Sequence, residues 1–464
     1  MIDVETPLGP GWWLARCARK LDDRLPRLED LAARFEGNPP LPEGASAARA
    51  AYAAFQKKAR LNLAEAMVLA ISERLRVRAI RTAVDSGDDG DEIAWGLFRE
   101  NGLEVEFADV LENMLALGDA YMINGLAGPR QPTITGEDPR QVVTIHDPVR
   151  QSQIRAAAKF FHDSDYGMDY AFLFLPGRRW IARRPQAARP TGRVRFDARS
   201  WSWDESAGGA DGEPTAGIMP VTRFRNRRGV GEFERHVDVL DRINHMILQR
   251  MVIATMQAFR QRAIKGDLPT TYPKGHPQEG EEIDYEGIFV ADPGALWMIP
   301  AAAEIWESGQ VDLQGILSAV QDDLKHLAAV KRLPFWIFAP DNQSASGADR
   351  ANEGLVFAAE DRSTRAGQGL AQVISKALML AGETERARLD RITVDWFPVE
   401  RHSLSAKGSA AQQAKASGMP FRFIMEEVWQ ATPEQIRRAE ADRFDDMMTA
   451  LSGGQASTAG ATAG

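Results

Sequence analysis

One uninterrupted helical pattern constrains this chain more than any other feature: GEFERHVDVLDRINHMILQRMVIATMQAFRQRAIKG, from Gly231 to Gly266. Phe233, Val237, Leu240, Ile243, Ile247, Met251, Ala254 and Ala258 recur at spacings of three and four, which puts them on one face of a single helix. No proline interrupts the run, and glycines stand at both ends. Arg260, Arg262 and Lys265 are cations suited to the negative end of a helix dipole. About thirty-three residues at roughly 1.5 Å each make a rod on the order of 50 Å, whereas an average globular helix has about 11 residues. Such a rod needs something along its length, either the second arm of a hairpin or further copies of itself.

A second amphipathic helix is predicted over Val311 to Arg332, with Leu313, Leu317, Val320, Leu324 and Leu327 on one face. Between the two lie Asp267 to Gln310, rich in turn formers and short apolar runs, which read as a small β-rich insert. Upstream, residues 12–36 predict one or two helices broken at Pro26, and Ala47 to Thr82 one or two more. The acidic run Asp85 to Glu92 reads as a turn capping a helix with Ile93, Trp95, Leu97 and Phe98, and a further helix covers Glu104 to Leu117. The period then falls from 3.6 to 2, and AYMING, QVVTIHD, AAAKFFH, YAFLFLP, RRWIARR and GRVRFDARSWSWD read as short strands. After the second amphipathic helix, LPFWIFAPDNQSASGADR is apolar, then polar and flexible. A long helix from about Arg350 to Leu380, a strand at Ile392 to Glu400 and helices to about Leu451 follow. Thr432, Pro433 and Gln435 form a capping box at one of them, and Ser452 to Gly464 is a low-complexity tail expected to be disordered. The class is α+β.

The chain has 464 residues, enough for several structural units, with the 44% hydrophobic and 26% charged composition of a globular protein. A single cysteine, Cys17, excludes an intrachain disulfide framework and favours a reducing compartment. The start is acidic with no apolar leader, and no stretch reaches 18 apolar residues, so no membrane partner is expected. A net charge of -9 argues against tight non-specific binding to nucleic acid, yet suits a surface past which a polyanion must slide.

No short pattern marks a catalytic residue, a metal site or a cofactor. The seven histidines lie far apart, and no HExxH or CxxC occurs. The acidic run fails as a calcium loop, because Gly87 and Gly96 stand where ligands are needed. Gly229 with Gly231 and Gly367 with Gly369 begin phosphate-loop patterns without completing them. The densest basic run holds Arg223, Arg225, Arg227 and Arg228. It reads as a solvated strand edge, as an ion-pairing surface between subunits or as a DNA contact, and it leaves open a nucleic-acid-processing enzyme.

Several stretches resemble the portal proteins of long-tailed bacteriophages, in particular actinophage-type siphophage head-to-tail connectors. They are YAAFQKKARLNLAEAMVLAISERLRV, GEDPRQ, RINHMILQRMVIATMQAFRQRAIKG, DPGALWMIPAAAEIWESGQVDLQGIL and NQSASGADRANEGLVFAAEDR, in the expected order across most of the chain. The resemblance implies a portal-protein fold: a mixed α/β wing over residues 1–230, stem helices over 231–265 and 310–332, and a small β-rich clip over 266–309. It further implies a tunnel loop within 333–349, a long helix returning to the wing over 350–400, and an α-helical crown over 401–451. Asn342, Gln343, Ser344 and Ser346 would face DNA; Leu240, Ile243, Ile247, Met251, Leu317, Val320 and Leu324 would pack the stem. The implied assembly is a ring of twelve subunits at one capsid vertex, built in the host bacterial cytoplasm. Its implied partners are double-stranded DNA in the lumen, the large terminase, a head-completion or adaptor protein, and the major capsid and scaffolding proteins. A different head-assembly component, such as a minor capsid protein, is the alternative within the same setting.

Overall fold

The computed structural model describes residues 2–42, 50–85, 90–186, 194–258, 262–266, 268–285, 304–307, 312–338, 345–400 and 404–459. In chain order the helices are α1 (Pro10–Phe35), α2 (Ala50–Lys58), α3 (Leu63–Ser72), α4 (Glu92–Glu100), α5 (Leu103–Leu117), α6 (Val237–Ala258), α7 (Gln314–Lys331), α8 (Ala345–Ala381), α9 (Leu404–Ala416) and α10 (Pro433–Ala459). The strands are β1 (Val77–Arg81), β2 (Asp119–Gly128), β3 (Gln131–Glu137), β4 (Val142–His146), β5 (Ile154–Asp163), β6 (Met168–Leu175), β7 (Arg178–Pro185), β8 (Ser202–Trp203), β9 (Glu213–Pro214), β10 (Val221–Arg225), β11 (Arg262–Lys265), β12 (Glu304–Glu307) and β13 (Thr393–Trp396). The chain forms two units: Met1–Pro39, Asn62–His236 and Ala329–Gly464 make the first, and Pro40–Leu61 with Val237–Ala328 make the second.

In the first unit α1 is one helix through Pro26, not two. A proline inside a helix costs about 3 kcal/mol. Pro26 is exposed, while Leu25 and Leu28 beside it are buried to 2% and 0%, and each buried leucine contributes roughly 1.5–3 kcal/mol. Packing therefore outweighs the break. Leu14, Cys17, Leu21 and Leu25 of α1 meet Val143, Ala156, Ala158, Phe160, Leu173 and Trp180 of an antiparallel sheet ordered β4-β5-β6-β7-β8, with β9 also on β7. The expected strand GRVRFDARSWSWD is reduced to Ser202–Trp203. Asp197 bends the chain by accepting from Arg199 N, and Trp201 turns inward to 1% exposure.

A second sheet, β10-β2-β3, packs α5 and α8 against it. A Cβ on Gly369 of α8 would lie 2.5 Å from the Phe224 ring, so only glycine allows this approach. The helix expected up to Thr82 gives way to β1, whose antiparallel partner β13 lies some three hundred residues onward. Asp91 caps α4 by accepting from Ile93 N and Ala94 N. The capping box opens α10 as read, with Gln435 N donating to Thr432 Oγ1 (3.2 Å) and Thr432 N to Gln435 Oε1 (3.0 Å). That helix runs to Ala459, into the stretch expected to be disordered; its Ala, Gln and Ser residues tolerate helix. Likewise α8 starts at Ala345, so Ala345 to Asp349 are helical rather than loop.

The second unit holds α2, α6, most of α7 and the β11–β12 ribbon. The long rod is shorter than its pattern: α6 has 22 residues, a 3-10 turn at Glu234–His236 precedes it, and Arg262–Lys265 is strand. Ile264 pairs with Ile305 across the ribbon, a long-range contact that overrides local helix preference. Arg262 and Lys265 therefore do not cap a helix, and Arg260 lies outside the described residues. Leu240, Ile243 and Leu324 are buried, whereas Ile247, Met251, Leu317 and Val320 are half-buried. Arg242 of α6 donates to both oxygens of Asp323 of α7, at 2.7 and 2.9 Å. Of the expected β-rich insert, residues 268–285 and 304–307 are described, and they hold β12 and a bridge between Thr271 and Glu282.

Candidate functional site

The most concentrated buried chemistry lies in the first unit, where the chain leaves after His236 and returns at Ala329. After β10, Asn226 is buried and organises the turn. Its backbone N donates to Gly118 O (2.9 Å), its Oδ1 accepts from Arg227 N (2.7 Å), and its Nδ2 donates to Val230 O (2.8 Å). Gly231 then passes so close to the end of α5 that a Cβ would lie 2.2 Å from Ala116 O. The next amide, Glu232 N, donates to Leu115 O (2.7 Å), which pins the carboxylate inside.

That carboxylate gathers three segments. Glu232 accepts from Asn226 Nδ2 (3.1 Å), from Lys331 Nζ at the end of α7 (2.7 Å) and from Arg362 Nε in the middle of α8 (2.9 Å). Lys331 Nζ also donates to the Glu232 carbonyl (2.7 Å). Burial alone would push the Glu232 carboxyl up, but the charges of Lys331 and Arg362 and their hydrogen bonds outweigh it and hold the group below its ordinary range. Arg362 shares its second charge-assisted bond with Asp361, which also pairs with Arg365. Arg332 follows in the left-handed region at φ 55°, and Gly354 of α8 packs onto it, a Cβ there falling 2.6 Å from Arg332 O. The two ends of the 333–353 segment are thus fastened at one place.

A second cluster lies on α1 and β10. Arg24 donates to Tyr121 Oη and Asp119 Oδ2, both at 2.8 Å. Around them stand Lys20, Arg223 and Arg225. Burial and then the Arg223, Lys20 and Arg225 charges push His146 down to about 4, so it is neutral at pH 7. Its Nδ1 faces Gln151 O at 2.7 Å and its Nε2 the Thr144 hydroxyl at 2.9 Å, a pattern that neutral imidazole satisfies.

The arginine run does not act as one patch. Arg223 and Arg225, two apart on β10, share the electrostatics of Asp119, while Arg227 acts on Asp361 and Arg228 sits in the turn at φ 61°. Asn342, Gln343 and Ser344 lie outside the described residues, and Ser346 is in the first turn of α8. Neither cluster pairs a nucleophile with a base, and Cys17 is buried with its thiol pushed up to about 12. Among the described residues no group of His, Cys, Asp and Glu could hold a metal ion. Glu232 escaped the sequence reading, yet a signal was there. Arg362 interrupts the buried stripe Leu355, Ala359, Ala366 and Leu370, and Lys331 continues the stripe of Leu324 and Leu327.

The sequence profile described as "Phage portal protein, SPP1 Gp6-like" matches residues 14–447. The chain belongs to this portal protein family. As a member it is a structural protein of the capsid's portal vertex. The portal chain is also similar to a chain in the "Virion of native gene transfer agent (GTA) particle", at 12% identity and TM-score 0.43, covering 84% of this chain and 93% of that one. A chain in the "Neck of native GTA particle computed with C12 symmetry" shows 12% identity and TM-score 0.45, covering 81% and 89%. No curated protein sequence matches significantly.

Proposed function

We propose that this portal protein forms a closed ring, twelve subunits in the virion, through which double-stranded DNA is packaged and ejected. The family match across residues 14–447 carries the reading. In it, residues 1–230 and 350–400 form the wing, α6 and α7 the stem, 266–309 the clip, and 401–451 the crown. The segment around Ala339 to Asp349 faces the lumen, with Asn342, Gln343, Ser344 and Ser346 offering small polar groups. From Ala339 to Gly347 there is no cation and one carboxylate, Asp341, so phosphates meet weak, replaceable hydrogen bonds and DNA slides. The Glu232 junction supports this reading, because a loop under load from moving DNA needs fixed feet.

The work is passive. A separate ATP-driven large terminase docks on the clip and moves the DNA; a head-completion or adaptor protein later takes that face, and the wing meets major capsid and scaffolding proteins. The half-buried Ile247, Met251, Leu317 and Val320 leave apolar stem surface for the neighbouring subunit. Purified protein should give rings of several hundred kilodaltons by negative stain and hydrolyse no ATP. Monomers at high protein concentration would remove the ring. Asn342→Lys with Ser344→Lys should slow packaging through added phosphate attraction; unchanged packaging would take those residues out of the lumen.

A further inference from the structure

Two faces of the first unit carry an excess of opposite charge among the described residues. On one, Arg19 and Lys20 are exposed on α1 beside Arg223 and Arg225 of β10, while the nearby carboxylate, Asp119, is already held by Arg24. Lys20, Arg223 and Arg225 all act on His146, Arg223 acts on Lys20, and Arg19 lines the same cleft as Lys20 and His146. Next to them a cleft of about 420 Å³ opens between α1 and β4, with Trp12, Trp13, Arg19, Lys20 and one carboxylate, Asp23, in its wall. On the other face, Glu65, Glu73, Asp109 and Glu112 of the α3–α5 pair make no ion pair among the described residues. Burial and then Asp109, Glu65 and Glu73 push the Glu112 carboxyl up, the sign of crowded carboxylates, with Arg76 and Arg99 in the same cleft but not ion-paired to them. Exposed apolar surface accompanies them, with Val105 of α5 72% exposed.

Like charge forbids either face from meeting its own copy, so a two-fold contact through them is disfavoured. A head-to-tail contact brings opposite faces together, and it closes into a ring when the rotation allows. We infer that the basic face of α1 and β10 receives the carboxylate face of α3 and α5 from the next copy around the ring. DNA is the poorer occupant: it would leave the carboxylate face unmatched, and the chain's net charge of -9 opposes it. The inference rests on the ring reading and names which surfaces close the ring.

The test uses two full-length variants and native mass spectrometry with negative stain at low salt. Arg19→Glu with Lys20→Glu reverses two of the four cations on the basic face and cancels its excess charge, and Asp109→Lys with Glu112→Lys does the same to the carboxylate face. Each alone should raise the concentration needed for rings by at least about tenfold. An equimolar mixture should restore rings, with the two variants alternating and the subunit number even. Rings from either variant alone at the wild-type concentration, or no rescue by a mixture of two variants with wild-type circular dichroism, would overturn the inference. If a reversal unfolds the chain, Arg19→Gln with Lys20→Gln and Asp109→Asn with Glu112→Gln replace it. Each should then weaken assembly, and unchanged assembly overturns the inference. An arginine-face variant that keeps its rings but loses duplex DNA in a mobility shift would assign that face to DNA instead. A wild-type chain that forms no rings fails the ring reading itself, whatever the variants do.

Discussion

Glu232→Gln keeps the shape of the buried side chain and removes the charge that Lys331 and Arg362 share. The three side chains are 2%, 13% and 10% exposed, so water cannot take the place of the carboxylate. Two cations at 2.7 and 2.9 Å give a large Coulomb attraction, but desolvating all three groups offsets most of it. Removing one partner of such a buried cluster typically costs about 3–5 kcal/mol, because the remaining charges stay buried and unpaired. At about 3 kcal/mol the thermal midpoint should fall by roughly 5 °C or more in a unit of this size. Lys331→Met should cost a similar amount. If the groups act as one cluster, the double variant should lose less than the sum of the two single losses, by at least about 1 kcal/mol. Hydrogen exchange should also quicken at residues 333–338 in Glu232→Gln. Strictly additive losses, with exchange there unchanged, would refute the fastening of the loop's feet. The pH dependence has a definite sign. Glu232 has a folded value below its ordinary 4.5, so its stabilisation is fully present above about 4.5 and is lost as pH falls through the folded value. The gap between wild type and Glu232→Gln should hold steady at neutral pH and close under acid.

Gly231→Ala should destabilise the first unit by more than about 2 kcal/mol, since its Cβ would sit 2.2 Å from backbone Ala116 O; a wild-type melting curve would show that the turn yields freely. Lys376, pushed down to about 7 by burial, donates to Val221 O (3.0 Å) and Thr222 Oγ1 (2.7 Å). Its depressed value makes it a penalty that grows as pH falls from its ordinary 10.5 and levels off below about 7. Lys376→Gln should therefore gain most relative to wild type at pH 7 and less at pH 9.5, and a gap independent of pH would refute the shift. Ile247→Asp places a carboxylate on the half-buried stripe of α6 and should abolish rings seen by negative stain; normal rings would make that face solvent-exposed.

What could be read from the sequence follows the range of the forces involved. Helix α5, the Thr432 capping box, the Asp91 cap and the alternating strands β5 to β7 are encoded within a few residues, and all are present in the fold. The errors occur where a distant partner decides. The end of the long helical pattern pairs as β11 with β12, and the end of the Ala47–Thr82 pattern pairs as β1 with β13. In α1 the sheet beneath outvotes Pro26. The same reasoning governs the candidate site. The run Arg223–Arg228 attracted attention because its charges are adjacent in sequence, yet alternation on β10 and the turn after it send them to different neighbours. Glu232, Lys331 and Arg362 are far apart in sequence and meet only in the fold, where burial multiplies the worth of each contact. Charges that interrupt an apolar stripe, as Arg362 and Lys331 do, are therefore better guides to the working parts of a chain like this than charges that cluster along it.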